Sequence, residues 1–300
     1  MKAGIVAIIG RPNVGKSTLL NNLVGEKVAI VSPVPQTTRN QIRAIFNDAR
    51  GQIVFIDTPG LHATKHALDR AMVVAINQAM DGADVILHLA DATKHVGEEE
   101  QLVMEKLGGC RVPLILGLNK IDLGPRCVEE YISAWEQKLQ GPLSEKTSRL
   151  MPVPLSALNG TNVDKLLDEL FARMPEGDPL YPADVLTDFP RQLTIQDVVR
   201  EKLLSYLKDE LPFSVAVYAE EIIDRSEKLM VVRAVIFVER DSQKGIVVGK
   251  GGEHLKKVGT EARRDLQDIF GKKVFLELWV KVRENWKQDQ ELLRQIGYIL

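Results

Sequence analysis

Residues 5–18 read Ile5-Val6-Ala7-Ile8-Ile9-Gly10-Arg11-Pro12-Asn13-Val14-Gly15-Lys16-Ser17-Thr18. Five apolar residues make a buried strand, which stops at a loop bracketed by two glycines. Lys16, Ser17 and Thr18 then open an amphipathic stretch. Strand, Gly-x-x-x-x-Gly-Lys-Ser and helix in that order form a phosphate loop. Its glycines let backbone N–H groups curl round phosphates at a helix amino end, where the dipole favours an anion. Lys16 is placed to neutralise β- and γ-phosphates, and the Ser17 hydroxyl to bind Mg²⁺. Alone, this segment specifies a nucleoside triphosphate and nothing finer.

Outward from it, residues 1–172 alternate apolar runs with amphipathic ones. Ile5–Ile9, Ile53–Ile56, Val85–Leu89, Leu114–Leu118 and Val153–Leu155 are expected strands. Helical patterns fall at about 17–24, 66–80, 98–107, 128–139 and 163–172, and a further strand near Ile42–Asn47 pairs as an edge hairpin. Uninterrupted apolar strands alternating with helices predict an α/β domain, a mostly parallel sheet covered on both faces. The domain is expected over 1–174. Four prolines between 175 and 190 mark a semi-rigid linker. Residues 191–300 predict a smaller α+β domain: a helix (192–209), two strands (Ser214–Ile223, Lys228–Glu239), a glycine loop with a helix (245–270), a strand (Val274–Val282) and a last helix (285–297).

Three further motifs follow separate strands, where ligands sit in open α/β sheets. Asp57-Thr58-Pro59-Gly60 places a carboxylate that can hold the metal through water, and a Gly60 N–H that can sense the γ-phosphate. Asn119-Lys120-Ile121-Asp122 offers a carboxylate for the N1–H and exocyclic amine of guanine. Adenine lacks that edge, so a buried Asp122 would be left unpaired against it. Ser156-Ala157-Leu158 places a backbone N–H toward the guanine oxygen, or else Ser156 caps a helix. The four together predict GTP and GDP as ligands. The polar stretch Gln36-Thr37-Thr38-Arg39 has the composition of a solvated loop.

In the second half, Gly249-Lys250-Gly251-Gly252 precedes a helix with Leu255, Val258, Ala262, Leu266 and Ile269 at core spacing. Residues 243–273 carry eight basic side chains, among them Lys256, Lys257, Arg263 and Arg264, against four acidic ones. The whole chain has a formal charge of -2, so this local surplus suits phosphate contacts.

The motif spacing resembles translation-factor-class GTPases, and Thr37-Thr38-Arg39 resembles the effector loop of the Era, TrmE and EngA family. The resemblance implies Thr38 as second Mg²⁺ ligand, with Thr37 as its rival, and Lys16, Thr38 and Gly60 as the catalytic set. Leu61 stands where many signalling GTPases carry the glutamine that orients water. Asn13 matches an asparagine associated in some relatives with K⁺, which would stand in for an arginine finger. Slow intrinsic hydrolysis is expected. The Gly249-x-x-Gly252 loop is similar to that of prokaryotic-type (type II) KH domains, which clamp single-stranded RNA.

One phosphate loop, a proline-rich link and a KH-like end together resemble the Era branch of that family, over nearly the whole chain. The resemblance implies a GTP-hydrolysing switch that binds the 3′ end of small-subunit ribosomal RNA and assists assembly of the small ribosomal subunit. A monomer is expected. Two other classes compete: a phosphate-loop kinase or ATPase, which Asp122 opposes, and a non-catalytic RNA-binding scaffold, which Leu61 permits.

Only Cys110 and Cys127 are present, without metal-ligand spacing, which fits a reducing cytoplasm. No apolar run approaches the roughly 18 residues of a membrane span, which leaves surface attachment at the cytoplasmic face of the cell membrane open. The tryptophans are read as core, as is His88, while His62 and His66 fall in the loop after Gly60 and His95 and His254 are read as exposed.

Overall fold

Five apolar runs each become a strand buried on both sides. The computed structural model describes residues 1–61, 66–140 and 150–298. It divides into two units: Met1–Ala29, Thr38–Thr64 and Met72–Asp188 in the first, and Ile30–Thr37, Lys65–Ala71 and Phe189–Leu300 in the second.

The first unit holds a six-stranded sheet of β1 (Lys2–Ile9), β2 (Ile42–Asp48), β3 (Gly51–Asp57), β4 (Val85–Asp91), β5 (Leu114–Asn119) and β6 (Leu150–Pro154), in the order β2-β3-β1-β4-β5-β6. Only β2 is antiparallel to its neighbour. Every residue of β3, β4 and β5 is buried, as a sheet covered on both faces requires. Helices α2 (Ala67–Asp81), α3 (Glu98–Gly108) and α4 (Val128–Leu139) share one apolar cluster with the sheet. Helices α1 (Lys16–Val24) and α5 (Val163–Arg173) pack on β2–β3 and β5–β6. Phosphate loop, Asp57, Asn119 and Ser156 therefore gather at one end of the sheet, beyond the carboxyl ends of β1, β3, β5 and β6.

The stretch expected as a semi-rigid linker is bound to this unit up to residue 188. Gln52 Oε1 accepts from Leu180 N (2.7 Å) and Tyr181 N (2.9 Å), and Leu186 O accepts from Ile45 N of β2 (2.9 Å). Arg43 pairs with Asp188 at 3.1 Å. Prolines here stiffen a chain that lies along a sheet edge.

The second unit contains α6 (Arg191–Tyr206), β7 (Ala216–Ser226), β8 (Leu229–Val238), α7 (Asp241–Val248), α8 (Glu253–Phe270), β9 (Lys273–Val282) and α9 (Gln290–Gln295). Its sheet runs β7-β8-β9, with β8 and β9 parallel. That parallel pair needs a crossover, which α7, the glycine loop and α8 supply. Helices α6 and α8 close a single core with the sheet.

Three expectations change here. The helix predicted to 209 ends at Tyr206, because Leu207 is extended and Asp209 takes φ 55. A separate helix, α7, precedes the glycine loop. The last helix is broken: a short 3-10 turn, Trp286–Gln288, gives way at Asp289, whose carboxylate caps α9 by accepting from Leu292 N at 3.0 Å. Trp135 and Trp286 are buried as expected, but Trp279 is 57% exposed on β9.

Candidate functional site

The phosphate loop is shaped by contacts that admit no side chain. A Cβ on Gly10 would lie 2.2 Å from Leu89 O, and one on Gly15, at φ +102, would lie 2.3 Å from Asn119 Nδ2. Helix α1 begins without a side-chain cap, so its amino end can receive phosphate oxygens. Lys16 is buried, and its ammonium donates to Arg11 O (2.9 Å) and Gly10 O (3.3 Å). Burial pulls that ammonium below its ordinary value, against the opposing charges of Asp57 and Glu100. Asn13 is exposed at φ 61, and its carbonyl accepts from Lys120 Nζ at 2.8 Å.

Ser17, Thr38 and Asp57 converge. Asp57 Oδ2 lies 2.6 Å from Ser17 Oγ and 3.3 Å from Thr38 Oγ1, and the two hydroxyls are 3.0 Å apart. Burial pushes the Asp57 carboxyl above its ordinary value, only partly offset by Lys16 and the two hydroxyls. Asp57 Oδ1 is buried without a hydrogen-bond partner among the described residues. Two hydroxyls and a carboxylate with a spare oxygen are hard oxygen donors, a set that fits Mg²⁺. Thr37 turns away: its hydroxyl donates to Val34 O at 2.6 Å. The effector stretch is not a solvated loop, since Thr37, Thr38 and Arg39 are all buried, beside Gln36 at φ 61.

On the other side, Thr58 Oγ1 donates to Ile8 O (2.8 Å), and Gly60 packs so tightly on Pro12 that a Cβ would meet the Pro12 nitrogen at 2.6 Å. Leu61 N donates to Gly10 O at 3.3 Å, while its side chain packs on the apolar core. Nothing in Leu61 can orient a water. His62 lies outside the described residues.

The end expected to hold guanine is cross-tied by Asn119. Its Nδ2 donates to Val14 O (2.7 Å), and its Oδ1 accepts from Ala157 N (2.8 Å). Lys120 reaches over the loop to Asn13 O and Asp91, each at 2.8 Å. Asp122 sits on a 3-10 turn, Ile121–Leu123, and is exposed where a buried carboxylate was expected. It has to be reachable for a base to bury it. Ser156 is buried and accepts from Asn159 N (3.4 Å), closing a turn; α5 begins later, after Asn162. Leu158 is 74% exposed.

In the second unit, Gly249, Gly251 and Gly252 take φ +74, +62 and +83, and a Cβ on Gly249 would strike His254 Cγ at 2.7 Å. The loop thus links the end of α7 to the uncapped start of α8. Val258, Ala262 and Leu266 are buried, with Leu255 and Ile269 partly so, while Lys250, Lys256, Lys257, Arg263 and Arg264 are exposed. Lys257 is paired to Glu253 (2.6 Å) and Lys272 to Asp224 (3.2 Å), which weakens the patch at those two points.

Comparison with known proteins agrees with both halves. A family described as 50S ribosome-binding GTPase matches residues 5–120, and the KH domain family matches 210–287. The chain is 42% identical over 299 residues to GTPase Era of Alkaliphilus metalliredigens (strain QYMF), covering 99% of each. The chain belongs to the Era GTPase family. GTPase Era of Heliobacterium modesticaldum (strain ATCC 51547 / Ice1) is 43% identical over 298 residues, with 99% of this chain and 97% of the relative covered. Among solved structures, Era in complex with MgGDPNP and nucleotides 1506–1542 of 16S ribosomal RNA superposes with a TM-score of 0.90 at 39% identity, covering all of both chains. A variant of Aquifex aeolicus Era bound to GDP and aluminium tetrafluoride gives the same values. The protein is thus an Era-family GTPase with a KH domain.

One part of this Era-family site escaped the sequence reading. Glu100 is fully buried, pairs with Arg11 of the phosphate loop (2.6 Å), and accepts from Tyr131 (3.0 Å). His88 Nε2 lies 2.7 Å from Glu100, and Trp135 donates to His88 Nδ1 at 3.2 Å. Since Nδ1 accepts, Nε2 carries the proton that faces the carboxylate. Burial pushes the Glu100 carboxyl up, but His88, Arg11 and Tyr131 together hold it below its ordinary value. The burial pushes the Tyr131 phenol well above its ordinary range, with Glu100 adding to it. Three consecutive glutamates, Glu98, Glu99 and Glu100, open α3. Only Glu100 shares the buried face with Val103, Met104 and Leu107, and that spacing was the available signal.

Proposed function

We propose that this Era-family GTPase is a GTP-driven switch that binds the 3′ end of small-subunit ribosomal RNA and assists maturation of the small ribosomal subunit. The observation that carries it is one chain holding both the Ser17–Thr38–Asp57 cluster and the strained Gly249–Gly252 loop. The full-length likeness to an Era bound to MgGDPNP and a 16S RNA segment supports the pairing.

Lys16 and the phosphate-loop amides receive the β- and γ-phosphates. Ser17 and Thr38 would hold Mg²⁺ directly and Asp57 through water; bound there, the ion neutralises charge on the phosphate oxygens. Gly60 reports the γ-phosphate, and Asp122 with a backbone N–H of the Ser156-Ala157-Leu158 segment selects guanine. Thr37, next in the chain to Thr38, is held in the second unit by Arg200, which donates to its carbonyl and pairs with Asp197 at 2.7 Å. Ordering Thr38 therefore pulls on a residue already anchored in the RNA-binding unit, which biases that unit by the nucleotide state. RNA biases the nucleotide state in return.

In the glycine loop, backbone N–H groups and the α8 amino end meet RNA phosphates, and Lys256, Arg263 and Arg264 extend the contact. Replacing Lys250 and Gly251 together by aspartate should weaken a 3′-end RNA about tenfold or more while leaving GTP affinity unchanged. Filter binding at fixed salt reads this. Equal RNA affinity in the variant sinks the assignment, and equal affinity in the MgGTP and MgGDP forms removes the switch.

With Leu61 in the core, water must be positioned by other groups, so intrinsic turnover is slow. Asn13 would hold a K⁺ ion, whose charge would stand in for an arginine finger. Exchanging K⁺ for Na⁺ should lower single-turnover hydrolysis several-fold, and an unchanged rate discards the potassium role. Leu61 also favours a second reading, an RNA-binding scaffold that holds GTP without turning it over. Multiple-turnover phosphate release with and without RNA separates the two. The protein acts as a monomer in the cytoplasm, with peripheral contact at the membrane face. Among the described residues no helix is long and apolar enough to cross a membrane.

A further inference from the structure

In the first unit lies a cluster outside the motifs described above. His95 Nδ1 lies 2.7 Å from Glu130 Oε2 and 3.8 Å from Cys127 Sγ, and the three potential ligand atoms all lie within 4.8 Å of one another. We propose that His95, Cys127 and Glu130 form a zinc site, with water as the fourth ligand, that clips the loop after β4 to the start of α4.

The donor set is imidazole, thiolate and carboxylate, the three side-chain types that zinc takes in tetrahedral sites. A tetrahedral ion with sulfur at about 2.3 Å and nitrogen at about 2.0 Å holds those atoms roughly 3.5 Å apart, near the present 3.8 Å between sulfur and nitrogen. The imidazole and carboxylate now share a hydrogen bond and need only part slightly. Outer contacts already orient the ligands. Glu130 Oε1 accepts from Val96 N at 2.9 Å, and Ala92 O accepts from Arg126 N and Cys127 N, both at 3.0 Å. Cys127 directly precedes α4, where the helix dipole favours a thiolate. Burial and the Glu130 charge push its thiol up, and a cation between them reverses the second influence. Cys127 is buried whereas His95 is 87% exposed, so the imidazole can swing out to admit an ion.

The position gives the clip a consequence. Asp91, at the end of β4, holds Lys120, which holds Asn13 O in the phosphate loop. The segment 92–97 follows Asp91, and Cys127 follows the turn carrying Asp122. Tying those segments together stiffens both holders of the guanine end, so zinc slows GDP release. Binding expels the thiol proton, so metal uptake releases acid.

Cobalt tests the site directly, in full-length protein already loaded with MgGDP so that Ser17 is occupied. One equivalent of Co²⁺ should give a thiolate-to-cobalt charge-transfer band and intense visible bands of a tetrahedral ion, both displaced by Zn²⁺. Cys127→Ser abolishes the first band, Cys110→Ser keeps it, and His95→Gln, at an exposed position, weakens zinc at least about tenfold. Cobalt bound without a thiolate band, or zinc affinities within twofold across wild type, Cys127→Ser and His95→Gln, overturns the site. Zinc should slow release of a fluorescent GDP several-fold in wild type and not in His95→Gln; an unchanged rate with the band present overturns the regulatory role. The release arm rests on the guanine site proposed above, whereas the cobalt arm does not.

Discussion

Asp122→Asn should lower affinity for GTP about 10²- to 10⁴-fold and make xanthosine triphosphate the preferred ligand. The carboxylate is exposed on its 3-10 turn, and in the proposed site it accepts from N1–H and the exocyclic amine of guanine. Each charge-assisted bond is worth about 1.5–3 kcal/mol, and removing the charge leaves the amine facing another amine. Xanthine carries an oxygen at that position, so the new amide donates to it while its own oxygen still accepts from N1–H. Neighbouring geometry should hold, since Asn119 makes the cross-ties to Val14 and Ala157 and Lys120 those to Asn13 and Asp91. Calorimetric titration with both nucleotides decides the matter. Unchanged GTP affinity would remove guanine selection from Asp122 and revive the kinase or ATPase reading.

The double change Lys16→Met with Asp57→Asn should raise the stability of the nucleotide-free protein and abolish its stabilisation by MgGTP. Both groups are fully buried, and burial dominates both shifts. A carboxyl raised above 3.8 diminishes stability once the pH exceeds that value; an ammonium lowered from 10.5 diminishes it once the pH falls below that one. At neutrality both penalties are present. Changing one residue alone strands its partner, whereas neutralising both is commonly neutral or stabilising by about 1–4 kcal/mol. Wild type gains about 2.7 kcal/mol when GTP stands at a hundred times its dissociation constant. Thermal melts of full-length protein with and without MgGTP read both effects. A variant that melts lower without nucleotide, or still shifts with MgGTP, contradicts the account.

The sheet was legible because its strands are apolar throughout and each ends on residues with one obvious chemistry. Gly15, Lys16 and Asp57 were recognisable by type and spacing: a glycine where a Cβ would meet Asn119, then a cation and a carboxylate of the charges that a phosphate and a metal call for. Glu100 was not, because its role depends on which face of α3 turns inward, and its neighbours Glu98 and Glu99 share its composition. Helix α7 was missed because Asp241-Ser242-Gln243-Lys244-Gly245 buries nothing, and only its last two residues, Val247 and Val248, reach the core. The attachment of residues 180–188 depends on backbone and side-chain amide bonds from Gln52 and β2, which leave no periodic trace. The His95–Cys127–Glu130 grouping joins positions 32 and 35 residues apart, on two connections that only the sheet order brings together.

That attachment along β2 matters for the life of the chain. A sheet edge with open N–H and C=O groups is a template on which other copies can add strands. Leu186 O occupies Ile45 N and Thr187 donates to Arg43 O, so the chain blunts its own growing edge. Proteolytic nicking within 180–188 would uncover that template, and the damaged product should aggregate before the sheet itself unfolds.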